Sequence, residues 1–180
     1  MKLLTISTSL NPNSYSLTLV KQAYEVLKEN NNNVKFLDIR TLNLPICDGA
    51  LVYQMKVTQK LQKLILESDG IIMGCPIYNY NSAASSKNVL ELGGKIAWQN
   101  KIVGLIFTAG GNNSFATTMS LAGSLIIDFK VLLIPKYVFA TQNDFISSKE
   151  AKKEIKNRIN YLANDLQNYT QAFQSIVSKS

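Results

Sequence analysis

Five short apolar runs alternate along the chain with longer segments in which apolar residues recur every three or four positions. The runs have the length of strands and little polar alternation, and they cover residues 3–7, 34–39, 70–75, 102–108 and 131–140. A strand that is apolar at nearly every position is buried on both faces, as in a parallel sheet covered by helices. These runs therefore predict five parallel strands.

The intervening segments predict five helices, over residues 14–29, 55–68, 84–98, 114–129 and 148–177. The last is the most regular, because its apolar positions are spaced alternately by four and three: Ile155, Ile159, Leu162, Leu166, Tyr169, Phe173 and Ile176. Such a stripe predicts a terminal helix docked on the sheet. The alternative is that the part beyond Tyr169 overhangs the domain and contacts another subunit.

The resulting order, βαβαβαβαβα, predicts a single α/β domain over residues 1–180. Right-handed crossovers turn this order into a doubly wound sheet with helices on both faces. Ligands of such sheets bind at the carboxyl ends of the strands, where the strand order reverses. A ligand is therefore expected at the loops after the first, third and fourth strands.

The loop after the first strand is rich in short hydroxyl side chains and leads into a helix. It contains Ser7, Thr8, Ser9, Ser14 and Ser16. Backbone N–H groups at a helix N-terminus attract anions, and serine hydroxyls add donors. This density favours a phosphate-binding loop over a helix cap made by Ser14 alone. Neither the dinucleotide-binding glycine fingerprint nor the P-loop pattern is present, which disfavours a standard NAD-binding domain and a P-loop NTPase.

The loop after the third strand combines aromatic and amide side chains. Residues 75–88 read CPIYNYNSAASSKN. Tyr78 and Tyr80 offer flat surfaces beside the amides of Asn79 and Asn81, which suits a planar heteroaromatic ligand. The alternative is a loop whose aromatic rings pack on the protein itself.

The loop after the fourth strand, residues 108–114, contains two adjacent glycines. Gly110 and Gly111 allow the backbone to approach a ligand closely. A plain turn that caps the next helix explains them equally well.

Composition narrows the chemistry. The 180 residues include no histidine, which excludes Ser-His-Asp and Cys-His couples and His-ligated zinc or haem. Cys47 and Cys75 are too few for a disulfide framework or a four-thiolate zinc site, so no metal is expected, and reduced thiols in a cytoplasmic protein are expected.

The formal charge of +7 comes from scattered lysines. The densest group, residues 149–154, is mixed in sign and is predicted to be the solvated first turn of the last helix. No nucleic-acid partner is therefore expected. No apolar run is long enough to cross a bilayer, so no membrane partner is expected either.

Taken together, the three loops resemble those of the NAD(P)H-dependent FMN reductase family of flavodoxin-like proteins, which includes quinone, azo-dye and chromate reductases. The most specific part is the segment 76–82 followed by Lys87 and Asn88, which is similar to the family's P-x-Y-N-x-S/G…K-N signature. Residues 7–10 followed by Ser14 are similar to its G-S-L-R-x-x-S phosphate loop, and residues 108–111 to its third flavin loop. The resemblance spans nearly the whole chain and implies a five-stranded sheet in the order 2-1-3-4-5.

The resemblance also implies which residues bind FMN. Those expected around its phosphate are Ser9, Asn11, Ser14 and Ser16. Those expected along the isoalloxazine ring are Pro76, Ile77, Tyr78, Asn79, Tyr80, Thr108, Ala109, Gly110 and Gly111. Asn11 stands where the family usually has arginine, Ser16 where it has asparagine and Thr8 where it has glycine. Loss of the guanidinium removes a charge-assisted contact to phosphate, so we expect weaker FMN retention.

By this resemblance the protein is an FMN-dependent NAD(P)H oxidoreductase that reduces quinones, free flavin or similar small electron acceptors. Hydride passes from NADPH or NADH to flavin N5 and then to the acceptor, and the cofactor carries this chemistry without a side-chain base. Cys75 is expected to be a small buried residue rather than a redox thiol. A flavodoxin-type electron carrier and a non-flavin interaction module on the same fold are the alternatives, and the positive charge counts against the carrier.

The family resemblance also implies a homodimer or homotetramer. The candidate interface is an apolar patch around Leu90, Leu92 and Trp98 together with the terminal helix.

Overall fold

The computed structural model describes residues 1–111, 115–116 and 118–177, and it shows a parallel sheet between two layers of helices. The strands are β1 Lys2–Ser7, β2 Asn33–Asp38, β3 Gly70–Tyr78, β4 Asn81–Ser82, β5 Ile102–Ala109, β6 Leu132–Leu133, β7 Val138–Thr141, β8 Phe145–Ser147 and β9 Glu150–Ala151. The helices are α1 Tyr15–Glu29, α2 Lys56–Leu66, α3 Ala84–Gly93, α4 Lys95–Trp98, α5 Thr118–Ile127 and α6 Lys153–Val177. The predicted helix start at Ser114 and the end of the third loop, Asn112 and Asn113, lie outside the described residues.

The strands form the predicted sheet. The order is β2-β1-β3-β5, and the fifth position is shared by β6 and β7, which pair in parallel with the beginning and the end of β5. This arrangement confirms the predicted order 2-1-3-4-5. The register sets Ser7 of β1 beside Gly74, and Pro76 beside Thr108, so that the ends of β1, β3 and β5 meet at one edge.

Alternate side chains of each central strand enter two separate cores. On β3, Met73 and Cys75 join the core beneath α2, α3, α4 and α5, while Ile72 joins the core formed with α1 and α6. All residues of β3 except Tyr78 are buried. This burial on both faces is what the uninterrupted apolar runs predict.

The fifth strand is interrupted, so the prediction of one strand over residues 131–140 is wrong. Ile134 still donates its amide hydrogen to the carbonyl of Val103, at 2.9 Å. Pro135 follows and has no amide hydrogen to give to β5. The chain leaves the sheet edge there and returns to it as β7 at Val138.

Two predicted helices differ in extent. The segment 84–98 divides into α3 and α4 at Gly94, whose φ of +73° is incompatible with a continuous helix. The last helix begins at Lys153 rather than at residue 148, because residues 145–151 form the β8–β9 hairpin. The prediction that residues 149–154 form the first turn of a helix is therefore wrong.

The terminal helix docks on the sheet, as its stripe predicts. The side chains of Ile155, Ile159, Leu162 and Leu166 are buried in the second core, whereas Tyr169 and Ile176 are exposed. Phe173 is partly buried against the same core, so the docked interpretation is confirmed for the helix as far as Phe173.

The predicted interface patch is wrong. Leu90, Leu92 and Trp98 are each 0% exposed and belong to the first core. Apolar spacing along a sequence identifies a buried face but does not distinguish a core from an interface. Exposed apolar side chains lie instead on α5, at Met119, Ile126 and Ile127. Among the residues described, no helix is both long and apolar enough to span a membrane.

Candidate functional site

The loops after β1, β3 and β5 converge on a groove of about 280 Å³ at the carboxyl edge of the sheet. One end is lined by Ser9, Asn11, Asn13, Ser14 and Tyr15. The other is lined by Pro76, Ile77, Tyr78, Thr108, Ala109, Gly110 and Gln142. The first end is polar and adjoins a helix N-terminus, whereas the second presents strand ends and an aromatic side chain.

The polar end is built on the N-terminus of α1. Ser14 is the N-cap, in extended conformation, and its Oγ accepts the amide hydrogen of Leu17 at 3.1 Å. The amides of Tyr15 and Ser16 are the first two of the helix and have no acceptor within it. Together with the positive end of the helix dipole, they favour an anion at this end of the groove.

Three hydroxyls support the same end. Ser16 Oγ lies 2.9 Å from Ser14 Oγ, and its side chain is fully buried behind it. Ser9 Oγ accepts the amide hydrogen of Asn11 at 3.2 Å, so its own hydroxyl hydrogen can be donated to a ligand. Asn11 Oδ1 accepts the amide hydrogen of Asn13 at 2.9 Å, which fixes the turn that leads into the helix.

An arginine outside the three loops reaches this end. The Arg40 guanidinium forms a bidentate pair with the Asp38 carboxylate, and its Nη1 donates to the carbonyl of Asn11 at 3.4 Å. The hydrogen bond that Arg40 donates to Asp38 raises the pKa of Arg40, so the guanidinium stays charged but is neutralised by its partner. Predicting this contact would require the pairing of β1 with β2. That pairing sets Ser7 beside Asp38 and so brings the end of β2 beside the first loop.

The other end is shaped by a tight hairpin. Tyr78 pairs with Asn81, and the two residues between them, Asn79 and Tyr80, both have positive φ, at 49° and 60°. This two-residue turn matches the twist of the strands, but tyrosine rarely adopts such a conformation. The hairpin places Tyr78 at the groove and carries Asn79 and Tyr80 to an exposed tip beyond its lining.

The opposite wall is the end of β5. Thr108 lies beside Pro76 in the sheet, and Ala109 and Gly110 continue along the groove. A Cβ atom added at Gly110 or Gly111 would meet no atom of the described residues within 4 Å. Packing within the protein therefore does not require glycine there, and the space in front of the backbone is open to a ligand.

Most of the residues singled out from the sequence line this groove: Ser9, Asn11, Ser14, Pro76, Ile77, Tyr78, Thr108, Ala109 and Gly110. Four others, Ser16, Asn79, Tyr80 and Gly111, lie outside its lining. Sequence reasoning missed Asn13, Tyr15 and Gln142. Gln142 follows β7, so the rule that ligands lie at strand ends points to it once the fifth strand is included.

Cys75 lies beneath the groove rather than in it. Its side chain is 0% exposed, and burial raises the pKa of its thiol to about 12, which outweighs the lowering effect of the neighbouring Ser86 and Thr8 hydroxyls. The thiol is therefore protonated at neutral pH and shielded from solvent, in agreement with the interpretation of a small buried residue.

The chain is similar in sequence to a known protein family and to individual reductases. The family model described as NADPH-dependent FMN reductase matches residues 1–145. An NAD(P)H-dependent FAD/FMN reductase from Geobacillus thermodenitrificans (strain NG80-2) is 25% identical over 167 residues, which cover 91% of this chain and 90% of that protein. An NADPH:quinone oxidoreductase from Arabidopsis thaliana is 28% identical over 117 residues, covering 62% of this chain and 59% of that protein.

A solved structure has the same fold. FerB from Paracoccus denitrificans, a flavoenzyme NAD(P)H:(acceptor) oxidoreductase, superposes with a TM-score of 0.72 over 97% of each chain, at 16% identity. At this identity, the similarity concerns the fold alone.

Proposed function

Because the chain belongs to the NADPH-dependent FMN reductase family, we propose that the groove binds FMN and that the protein reduces small electron acceptors with NADPH or NADH. Bound FMN supplies the hydride chemistry between the nicotinamide and the acceptor, so the protein's residues have to bind, orient and exclude water. One observation carries this proposal. The same groove has the donor-rich N-terminus of α1 at one end and the open ends of β3 and β5 at the other.

The polar end has donors of the kind that a terminal phosphate requires. The hydroxyls of Ser9 and Ser14 and the first amides of α1 are all donors, and no lysine or arginine is among the lining residues. A phosphate dianion is therefore bound by hydrogen bonds and the helix dipole without a direct charge partner. We accordingly expect FMN to exchange with solution more readily than in a site with a lining guanidinium.

At the other end, the protein provides backbone and one aromatic face. The N–H group of Gly110, which follows the last residue of β5, is suited to hold negative charge that develops on a ring beside it. Tyr78 is 51% exposed beside the groove and offers its ring face to a planar acceptor. We propose quinones and free flavins as acceptors, in keeping with the names of the two curated relatives.

The test is an absorbance spectrum of the purified protein, before and after addition of FMN, desalting and anaerobic NADPH or NADH. The proposal predicts a yellow protein that bleaches with the nicotinamide and recovers its colour when a quinone is added. Flavin that binds without bleaching indicates an electron carrier instead. Absence of flavin binding under all these conditions overturns the proposal.

A pair of serine variants locates the binding site. Ser9→Ala removes a donor from the groove and should raise the FMN dissociation constant about fivefold to tenfold. Ser68→Ala is the matched control, because Ser68 is also buried and its hydroxyl donates to the carbonyl of Leu64 at the end of α2. Equal effects of the two variants would contradict this location of the phosphate.

We propose further that the protein is a homodimer or homotetramer, with α5 in the contact. The ten residues of α5 include no charged side chain, and Met119, Ile126 and Ile127 are 58%, 49% and 81% exposed. Such a surface is typical of a face covered by another subunit. Ser120 of the same helix donates to Asn81 of the β3–β4 hairpin at 2.8 Å, so a second copy seated there would lie beside the ring end of the groove.

Light scattering of the wild type and two variants tests this assembly. Ile127→Lys should shift the protein toward the monomer. Ile146→Lys should not, because Ile146 is similarly exposed, at 67%, but lies on the β8–β9 hairpin. A wild-type monomer at micromolar concentration would refute the assembly.

We also propose a cytoplasmic location, supported by the two unpaired thiols, Cys47 and Cys75. Fractionation of cells that express the protein tests this location. Recovery outside the cytoplasm would contradict it.

A further inference from the structure

Thr8 of the first loop takes part in four hydrogen bonds, although it does not line the groove. Its amide and its Oγ1 both donate to the carbonyl of Gly74, at 3.0 and 2.8 Å. Its Oγ1 also lies 2.6 Å from Ser86 Oγ, and its carbonyl accepts the hydroxyl hydrogen of Ser85 at 2.6 Å. Because Thr8 Oγ1 gives its hydrogen to Gly74, the hydroxyl of Ser86 is the donor in the contact between the two side chains.

These contacts join the first loop to the first turn of α3. That helix has Ala83 at its N-cap, which supplies no side-chain acceptor, and Ser85 and Ser86 turn toward Thr8. The hydrogen bond between the Thr8 and Ser86 hydroxyls is shielded from water, since both residues are 0% exposed, and that of Ser85 is partly buried. Breaking a buried hydrogen bond is costly, because water cannot reach the donor and acceptor to replace the lost partner.

The same turn of α3 closes the base of the β3–β4 hairpin. The amide of Ala83 donates to the carbonyl of Pro76 at 2.8 Å, and Pro76 itself lines the ring end of the groove. Through Ser85 and Ser86, Thr8 therefore connects the polar end of the groove, which begins at Ser9, to the hairpin at the other end.

We infer that Thr8 is a positioning residue that fixes the distance between the two ends of the groove without touching the ligand. This inference rests on the proposed function insofar as the ligand is FMN. A ligand that contacts both ends gains the full benefit of the second contact only when the spacing of the ends is fixed in advance. A ligand that contacts the ring end alone gains nothing from the fixed spacing.

The test compares FMN with riboflavin, which lacks the phosphate, by titrating the flavin fluorescence. Thr8→Val removes the hydroxyl but keeps the shape, and it should weaken FMN about tenfold and riboflavin less than about twofold. Thr8→Ser keeps the hydroxyl and should restore FMN affinity. Thr58→Val is the matched control, because Thr58 is fully buried on α2 and its hydroxyl has no partner among the described residues.

Equal weakening of the two flavins by Thr8→Val, or no weakening of FMN, overturns the inference, because the first is the signature of a merely structural role. If Thr8→Val does not fold, Ser86→Ala removes the same hydrogen bond from the side of the helix and is held to the same criterion.

A second measurement separates this inference from the proposed function. Hydrogen exchange of the flavin-free protein should show faster exchange at the amides of residues 77–82 in Thr8→Val than in the wild type or Thr58→Val. Unchanged exchange overturns the connection to the hairpin. A wild type that binds neither flavin refutes the proposed function, while the exchange result still decides whether Thr8 holds the hairpin.

Discussion

Gly74 lies where α1 packs tightly on the sheet, and a methyl group there should disturb both the fold and the groove. A Cβ atom at this position would overlap Cγ2 of Val20 and stand 3.4 Å from the carbonyl oxygen of Ser16. Val20 and Ser16 are each 0% exposed, so neither has free space to move into. The Gly74→Ala substitution must therefore push the first turns of α1 away from β3.

The expected cost follows from that geometry. Overpacking of a filled core costs about 1–3 kcal/mol, and we expect about 2–3 kcal/mol here because the clashing methyl belongs to Val20, whose β-branched side chain is stiff, so that the helix carrying it has to move. Ser14 and Tyr15 lie on the part of α1 that is displaced. FMN affinity should therefore fall in the same variant.

Urea unfolding of a double-mutant cycle measures the effect. Val20→Ala alone should cost about 2 kcal/mol through the space it leaves. Combined with Gly74→Ala, it removes the atom that clashes, so the pair should cost at least about 1 kcal/mol less than the sum. Additive costs would refute the reasoning.

Gly123→Ala is the matched control. Gly123 lies within α5, and a Cβ atom there would meet no protein atom within 4 Å. Alanine is the better helix former by about 1 kcal/mol, so this variant should be as stable as the wild type or more stable.

Three further substitutions test other features. Asn11→Arg should tighten FMN binding about tenfold, and this gain in affinity should shrink as salt is added. Asn11→Lys should gain less affinity, because lysine lacks the bidentate fork of arginine, and equal gains by the two variants would contradict this. In urea unfolding, Tyr80→Gly should be about 1 kcal/mol more stable than Tyr80→Ala, because alanine retains the energetic cost of the positive φ of 60° at this position. Equal stabilities of the two variants would exclude that strain. Burial raises the pKa of Cys75 from 9.0 to about 12, so its stabilisation is complete below pH 9 and is lost as the pH rises toward 12. Relative to Cys75→Ser, the wild type should lose about 1 kcal/mol of unfolding free energy between pH 9 and 10, and parallel pH curves would refute this.

The sequence predicts the sheet well because burial on both faces leaves a strong one-dimensional signature. The runs around Ile72 and Leu105 are apolar at nearly every position, and the structure places them on the two central strands. The effect of a single proline or glycine on the course of the backbone is harder to predict from the sequence. Pro135 interrupts the fifth strand and Gly94 divides a helix, and both effects depend on where the neighbouring chain lies.

The candidate site is predictable to the extent that it consists of strand ends. Ser9, Tyr78 and Gly110 follow three strands and meet in one groove. The contact of Arg40 with the Asn11 carbonyl depends on the pairing of β1 with β2, which no local pattern contains. The hydroxyl of Thr8 likewise finds its partners 66 and 78 residues away along the chain.

The second core sets a limit on how far this chain can be shortened. The family match ends at residue 145, yet Ile155, Ile159, Leu162 and Leu166 of α6 supply much of the core on that side of the sheet. A stripe of apolar side chains can be met by many different sequences, whereas a groove demands particular residues. A helix of this kind can thus lie outside a family model while the fold still requires it. A chain ended at residue 145 would expose the apolar faces of α1 and β5 against which α6 packs, so the end of the family model is not a boundary of folding.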